Sequence, residues 1–162
     1  MKRFVISGTI NYKRVREFAL FCEELKPNEA IEVLINSHGG EENCGRALAG
    51  MISTLRTEGR RVHTIGMGDI KSAAVLIFAA GEIRAMSRFA VVMVHESSYA
   101  GEGNSSYFKK TAKQMEADEQ FWCNSLEMLT GTDSKTWMKL HEAETYLRPD
   151  DALKLNLATH II

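Results

Sequence analysis

The strongest constraint on the fold is an alternation of short apolar stretches with segments of helical periodicity. Phe4 to Ile6, Ile31 to Ile35 and Val62 to Met67 have the length and composition of buried strands. Each is followed by a segment whose apolar residues recur at helical spacing, over 13–25, 47–55 and 73–80. This rhythm of strand and helix favours an α/β fold with a mostly parallel sheet.

The second half of the chain contains one more buried strand and one unusually long helix. The run FAVVMV from Phe89 to Val94 predicts the strand. After an irregular, glycine-containing stretch at 99–104, apolar residues recur at helical spacing from Ser106 to about Leu129, and Gly131 is placed to end that helix. A short last helix is predicted to begin near Pro149, followed by a terminal strand at 158–162.

Length and composition indicate one soluble domain over residues 1–162. The 162 residues are 44% hydrophobic, which suffices for a sizeable core, and no repeat or linker divides them. A formal net charge of -1 gives no basic footprint for nucleic acid. The N-terminus lacks the apolar core of a secretory signal, and no stretch approaches the roughly 18 apolar residues of a membrane span. We therefore expect neither a nucleic-acid nor a membrane partner.

The cysteines indicate the compartment. Cys22, Cys44 and Cys123 are odd in number and lack CxxC or Cys/His ligand spacing. This pattern argues against a disulfide framework and against a zinc site. A reducing cytoplasm is the expected location.

Two residues at the ends of strands are candidates for chemistry. Ser72 stands between a strand and an apolar helix, where its hydroxyl would lie at the positive end of the helix dipole. The same position also suits a serine that only caps the helix. His95 ends an apolar strand, where parallel sheets often present functional groups, although a hydrogen-bonded structural histidine fits there too.

A glycine pair and an acidic stretch are further candidates. Gly39 and Gly40 follow the second strand in a predicted turn and would let backbone N–H groups approach a substrate, although an ordinary glycine turn is equally consistent. Glu142 and Glu144 flank Ala143, and either carboxylate could orient a histidine or simply be solvated.

Four motifs stand in one order along the chain: INSHGG at 35–40, GDIKSAAVLIFAAG at 68–81, MVHE at 93–96, and the segment 144–161. Together they resemble the Clp proteolytic subunit (ClpP) family of the ClpP/crotonase fold group, in which the corresponding sequences are INSPGG, GxAASMGxxLxxAG, MIHQ, and a stretch with the catalytic aspartate, a helix and a closing strand. The resemblance implies a ClpP/crotonase-like core of repeated β-β-α and βαβ units. It also implies a protruding helix, the handle, at about 99–131.

The resemblance implies a serine endopeptidase that needs no cofactor and no metal. Carried over by position, Ser72 is the nucleophile, His95 the general base and Glu144 the acid. The backbone N–H groups of Gly40 and Ala73 would form the oxyanion hole. In this chemistry the histidine takes the serine proton during attack, and the acid orients and stabilises the imidazolium.

Three departures from the family pattern concern the site. Glu144 replaces an aspartate, and its longer side chain needs a different approach path, so Glu142 is kept as the nearby alternative. Ile70 and Lys71 replace two alanines; we discount a Ser-Lys dyad because sequence neighbours generally point in different directions. His38 replaces a proline in the glycine turn and adds an N–H donor.

The resemblance also implies an assembly. Family members form stacked heptameric rings joined by the handle, so a homo-oligomeric ring that encloses its sites and admits flexible or unfolded polypeptides is expected. The family's gate, which contacts an ATPase unfoldase, is expected to be absent because the first strand begins almost at Met1. The compact chain and the sequence Glu144-Thr145-Tyr146 are also similar to phage-encoded capsid-maturation relatives.

The competing interpretation is a protein of the same fold without peptidase activity. It would be a structural ring component with a decayed site, or a crotonase-like acyl-CoA enzyme whose glycine amides hold a thioester oxyanion. Ser72 and His95 in family order favour the peptidase, whereas Ile70, Lys71 and Glu144 are the residues that favour a decayed site.

Overall fold

A seven-stranded sheet forms the centre of the structure, and the computed structural model describes residues 1–162. The strands are β1 (Lys2–Ile10), β2 (Ile31–Gly40), β3 (Val62–Lys71), β4 (Ile83–Met86), β5 (Val91–Val94), β6 (Thr145–Leu147) and β7 (His160–Ile161). The main order is β1-β2-β3-β4-β7, and β5 pairs with β3 and with β6. Every pair is parallel except β5 with β6, which confirms the predicted α/β class.

The chain also forms six helices. They are α1 (Tyr12–Glu23), α2 (Glu42–Thr57), α3 (Ala73–Ala79), α4 (Ser105–Thr130), α5 (Ser134–Glu142) and α6 (Pro149–Lys154). Every residue of α3 is buried, because this helix packs against α2, α4 and the central strands. None of the six combines the length and apolar character required to span a bilayer.

The segment 36–40 corrects a prediction. Its composition predicts a turn, but the residues continue β2 up to Gly40. The reason is pairing on both sides: Gly40 is in register with Ile10 of β1, and Ser37 with Ile70 of β3. The register shift between Ile35 and Ser37 absorbs the irregularity. Pairing with β1 and β3 therefore outweighs the local turn propensity. It places Gly39 and Gly40 at the end of β2.

The long helix is confirmed, and its two halves differ. Asn104 caps α4 by accepting from the Tyr107 N–H at 2.9 Å, and Gly131 ends it with φ of 77°. Residues 101–110 are all exposed, whereas the buried residues lie near the other end: Trp122, Cys123, Leu126 and Thr130. At 1.5 Å per residue the helix is about 39 Å long. Its first half therefore extends away from the body of the chain.

Candidate active site

The backbone at Ser72 is strained. Ser72 joins β3 to α3 with φ of 53° and ψ of −127°, a combination that non-glycine residues rarely adopt. Two hydrogen bonds hold it: its N–H donates to the Met93 carbonyl at 2.8 Å, and its carbonyl accepts from Val75 N–H at 3.0 Å. Its side chain makes no capping hydrogen bond to α3. Helix capping therefore does not explain this serine, and its hydroxyl is left available for other chemistry.

Gly39 and Gly40 allow β2 to pass directly against its neighbours. A Cβ at Gly39, which has φ of 99°, would lie 2.6 Å from the Ser72 Cβ and 3.2 Å from its Oγ. A Cβ at Gly40 would lie 2.7 Å from the backbone nitrogen of Ile10. Both positions therefore need glycine for close approach, and Gly39 packs on the nucleophile candidate itself.

His95 is brought to Ser72 by strand pairing. Lys71 of β3 is in register with Met93 of β5, so the residues that follow these strands lie on the same edge of the sheet. Ser72, His95, Gly40 and Ala73 all line one cavity of about 330 Å³. No hydrogen bond joins the Ser72 hydroxyl to the His95 ring. Such contacts often tighten only when substrate binds.

The two predicted oxyanion donors differ in what surrounds their N–H groups. Ala73 is the first residue of α3, so its N–H has no carbonyl partner within the helix. Next to Gly40, the Ile10 carbonyl accepts a hydrogen bond from the N–H of Glu41, the residue that follows Gly40, at 2.9 Å. Both residues border the cavity beside Ser72, which is the placement that an oxyanion hole requires.

The two acids singled out from the sequence lie outside this cavity. Glu142 ends α5 and Glu144 follows it with φ of 46°, and both are exposed. The backbone N–H of Glu144 donates to the His141 carbonyl at 3.2 Å. Neither carboxylate lines the cavity that holds Ser72. The role of Glu144 as the acid stays a prediction.

Three other carboxylates do line the cavity, and sequence reasoning missed them: Glu41, Glu42 and Glu119. Glu119 accepts from the Ser97 N–H at 3.3 Å, and Glu42 accepts from the Ser97 hydroxyl at 3.1 Å. Burial raises the pKa of Glu119, and nearby carboxylates raise it further against the lowering effect of the Ser97 hydrogen bond. No lysine or arginine lines this wall, so the cavity is electronegative.

His141 is a second missed residue. It lies near the end of α5, is only 4% exposed, and its Nδ1 has no hydrogen-bond partner. Its ring centroid is 5.0 Å from that of Trp122, and both rings line the cavity with His95. Burial lowers the pKa of His141 to about 4, and the proximity of His95 contributes. The available signal was the spacing of Trp137 and His141, which places both on the buried face of α5.

Lys71 and His38 lie outside the cavity lining. The Lys71 ammonium pairs with Asp69 at 2.8 Å, which agrees with discounting a Ser-Lys dyad. The His38 ring lies 3.3 Å from the Thr9 hydroxyl at an exposed position. Neither side chain is placed to act on a group bound at Ser72.

Comparison with known proteins identifies the family. The family model for Clp protease matches residues 5–162. ATP-dependent Clp protease proteolytic subunit 2 of Treponema denticola is 27% identical over 166 residues, which cover 99% of this chain and 81% of that protein. Subunit 2 of Frankia casuarinae is 29% identical over 147 residues, which cover 88% of this chain and 65% of that protein.

The fold comparison agrees. The ClpP1 N165D mutant from Listeria monocytogenes superimposes with a TM-score of 0.86 at 22% identity, over 99% of this chain and 91% of the other. This likeness confirms the ClpP-type fold predicted from the motifs. The family match also supports the peptidase interpretation over the acyl-CoA one. The chain therefore belongs to the Clp protease family and is a serine-type peptidase.

Proposed function

We propose that Ser72 is the nucleophile and His95 the general base of this peptidase, which cleaves flexible or unfolded polypeptides. His95 takes the hydroxyl proton as Ser72 Oγ attacks the scissile carbonyl, and the N–H groups of Gly40 and Ala73 bind the oxyanion. The same imidazolium then protonates the leaving amine, and water releases the acyl group by the reverse sequence.

The observation that carries this proposal is the conformation of Ser72. A non-glycine residue with φ of 53° and ψ of −127° costs of the order of 1–3 kcal/mol and persists only where its surroundings impose it. This strain is not accompanied by a capping hydrogen bond. Strained backbone that faces a cavity shared with a histidine is typical of a nucleophile held out of its helix.

Covalent labelling with a fluorophosphonate probe tests the nucleophile. We expect one label per chain, on Ser72, found by mass spectrometry of the digested protein. Ser98→Ala is the matched control, because Ser98 lines the same cavity and should leave the label in place. Labelling of Ser72→Ala at the wild-type rate would show that another residue is activated.

Glu144 is proposed as the acid because it occupies the position of the catalytic aspartate in the family motif. Glu142→Gln provides the comparison, because both carboxylates are exposed and lie two residues apart. A larger loss of peptide hydrolysis in Glu144→Gln supports the register, since an amide can stabilise the wrong tautomer of His95. A larger loss in Glu142→Gln contradicts it.

The proposed setting is a homo-oligomeric chamber in the cytoplasm, with rings stacked through the handle and an ATPase unfoldase as a candidate partner. Its support is the exposure of Phe108, Phe121 and Met128 along α4, since large apolar side chains left exposed on one helix favour an interface. Trp122 is buried in the core of its own chain and does not belong to this set.

Sedimentation tests the chamber. Phe121→Glu puts a charge on the proposed interface and should lower the assembled mass. Gln120→Glu, the exposed neighbour, adds the same charge without removing an apolar side chain and is the control. A concentration-independent monomer that cleaves peptides at full rate contradicts the chamber and leaves the serine chemistry intact.

A further inference from the structure

We propose that the cavity beside Ser72 selects substrates with a lysine or arginine next to the scissile bond, and that Glu42 and Glu119 bind the cationic group of that residue. The inference rests on the proposed roles of Ser72 and His95, and it names the class of substrate that their site prefers. The two carboxylates act in binding, and the chemistry at Ser72 is unchanged.

The wall of the cavity is acidic, and no basic residue in its lining balances the charge. Glu41, Glu42 and Glu119 line it, and no lysine or arginine does. One guanidinium approaches from outside the lining: Arg46 lies 3.4 Å from Glu42 Oε1 without forming a hydrogen bond to that atom, and it donates to Asp118 at 3.2 Å. A cleft lined by charges of one sign concentrates ligands of the opposite sign.

The same wall holds buried acceptors that have no donor. Glu42 Oε1 and His141 Nδ1 are the only buried side-chain polar atoms of the chain without a hydrogen-bond partner, and both residues line the cavity. His141 is 4% exposed, and burial lowers its pKa to about 4, so its ring is neutral near pH 7. With its proton on Nε2, the neutral ring has Nδ1 as an acceptor. Native proteins leave few such atoms unsatisfied, and a ligand that brings N–H donors into the cavity supplies what this wall lacks.

One residue holds the two carboxylates close together. Ser97 donates its N–H to Glu119 at 3.3 Å and its hydroxyl to Glu42 at 3.1 Å. Burial raises the pKa of Glu119, and the charges of nearby carboxylates, including Glu42, raise it further against the lowering effect of the Ser97 hydrogen bond. Like charges held side by side repel each other, and a cation bound between them relieves that repulsion. The arrangement is therefore preorganised for a positive group.

Chain connectivity places these carboxylates next to the reacting carbonyl. Glu42 follows the oxyanion donor Gly40 by two residues, and Ser97 follows His95 by two residues. Two residues of extended chain span at most about 7 Å, so the acids border the part of the cavity where the scissile carbonyl would bind. The long, flexible stem of a lysine, or the similar stem of an arginine, suits a reach from a residue beside that carbonyl.

The cavity also has room and apolar surface for such a stem. Its volume is about 330 Å³, and the buried Trp122 ring is part of its lining. Lysine and arginine cover apolar surface with their methylene groups while their charged ends contact polar groups. An apolar side chain in the same place would leave the carboxylates desolvated and unpaired, and an acidic one would add repulsion. No three His, Cys, Asp or Glu side chains are grouped to hold a metal ion, so an organic cation is the ligand that these residues fit.

Three quenched fluorescent peptides test the inference on the wild-type protein, purified and assembled. They differ at one position, which is lysine, Nε-acetyl-lysine or glutamate; acetylation removes the charge of lysine and keeps its stem. We expect kcat/KM to be about 10- to 100-fold higher for the lysine peptide than for the acetyl-lysine peptide, the factor that a hydrogen bond to a charged group supplies. The glutamate peptide should be the poorest, and mass spectrometry should find the cleaved bond beside the lysine.

Glu119→Gln removes one charge and keeps the size of the side chain. The ratio of kcat/KM between the lysine and acetyl-lysine peptides should fall about tenfold, and Glu42→Gln combined with Glu119→Gln should bring that ratio to about 1. Glu116→Gln is the matched control, because it removes the same charge from an exposed position of α4 that does not line the cavity, and the ratio should change less than about twofold. A ratio of two peptides does not depend on the fraction of active protein, so partial misfolding of a variant does not affect it.

The outcomes separate this inference from the function on which it rests. A wild-type protein that takes the fluorophosphonate label on Ser72 but does not prefer the lysine peptide, or cleaves none of the three, overturns the inference and leaves the activated serine standing. A lysine preference that survives unchanged in the double variant overturns the role of Glu42 and Glu119. A protein that takes no label on Ser72 and cleaves none of the peptides overturns the proposed function, and this inference fails with it.

Discussion

Gly39→Ala isolates the contact between β2 and the nucleophile. The new Cβ would lie 2.6 Å from the Ser72 Cβ and 2.9 Å from the Lys71 carbonyl. Two carbon atoms pack at about 3.5–4.0 Å, so Ser72 and residue 39 must separate by roughly 1 Å. The Lys71 carbonyl blocks the alternative path, because backbone in a paired strand cannot turn aside as a flexible side chain can.

Two losses follow from this substitution. Alanine at φ of 99° should reduce the free energy of unfolding by about 1–3 kcal/mol. Displacement of Ser72 by about 1 Å should lower kcat on the order of 100-fold, because a misplacement of that size spoils the attack geometry. Stability is measured by urea denaturation, and kcat with a quenched fluorescent peptide.

Gly59→Ala is the matched control. Gly59 also has positive φ, at 83°, but a Cβ there meets no atom within 4 Å. It should show only the part of the stability loss that comes from positive φ, with unchanged kcat. If Gly39→Ala retains wild-type kcat while it is destabilised as much as Gly59→Ala, the close packing of β2 on Ser72 has no catalytic consequence, and the argument from that contact is wrong.

Three further predictions concern the triad, pH and the C-terminal segment. Ser72→Ala combined with His95→Ala should be no slower than either single variant, because residues that act as one unit lose their effect together; additive losses in a peptide assay contradict the pairing. The pKa of His141 in the folded protein lies below its ordinary value. The unfolded chain therefore binds a proton at a higher pH than the folded protein does, and the free energy of unfolding falls as the pH drops from about 6.5 toward 4. Wild type should lose about 2 kcal/mol more than His141→Phe between pH 7 and pH 5 in urea denaturation, and equal losses refute the burial argument. Arg84 donates to the carbonyls of Leu157, Asn156 and Gly81, so Arg84→Met should cost about 3 kcal/mol in urea denaturation, whereas exposed Arg88→Met should cost almost nothing.

The sequence predicts the parts of the site whose residues end or follow the strands at one edge of the sheet. Ser72, His95, Gly40 and Ala73 each end or follow a strand, and parallel strands bring such positions together whatever the details of packing. The long helix was equally predictable, since its periodicity and Gly131 agree with the observed end. Family resemblance then supplied roles that these four positions alone left open.

The parts that the sequence did not predict depend on tertiary packing. The segment 36–40 has turn composition but is held in β2 by pairing on both sides. Strand β4 and the β6 segment are only four and three residues long, so their pattern is too short to recognise. The acidic segment at 142–144 could not be assigned because side-chain reach depends on how α5 packs, and that packing brings His141 to the cavity instead.

The most direct test of the whole account is peptide hydrolysis by Ser72→Ala and Ser98→Ala, purified and assembled as the wild-type protein is. The account predicts that Ser72→Ala loses at least about 10³-fold in kcat/KM while Ser98→Ala stays near wild type. Hydrolysis by Ser72→Ala at a rate close to that of the wild-type protein would contradict it, because the cavity at the end of β3 would then not be where peptide bonds are cleaved.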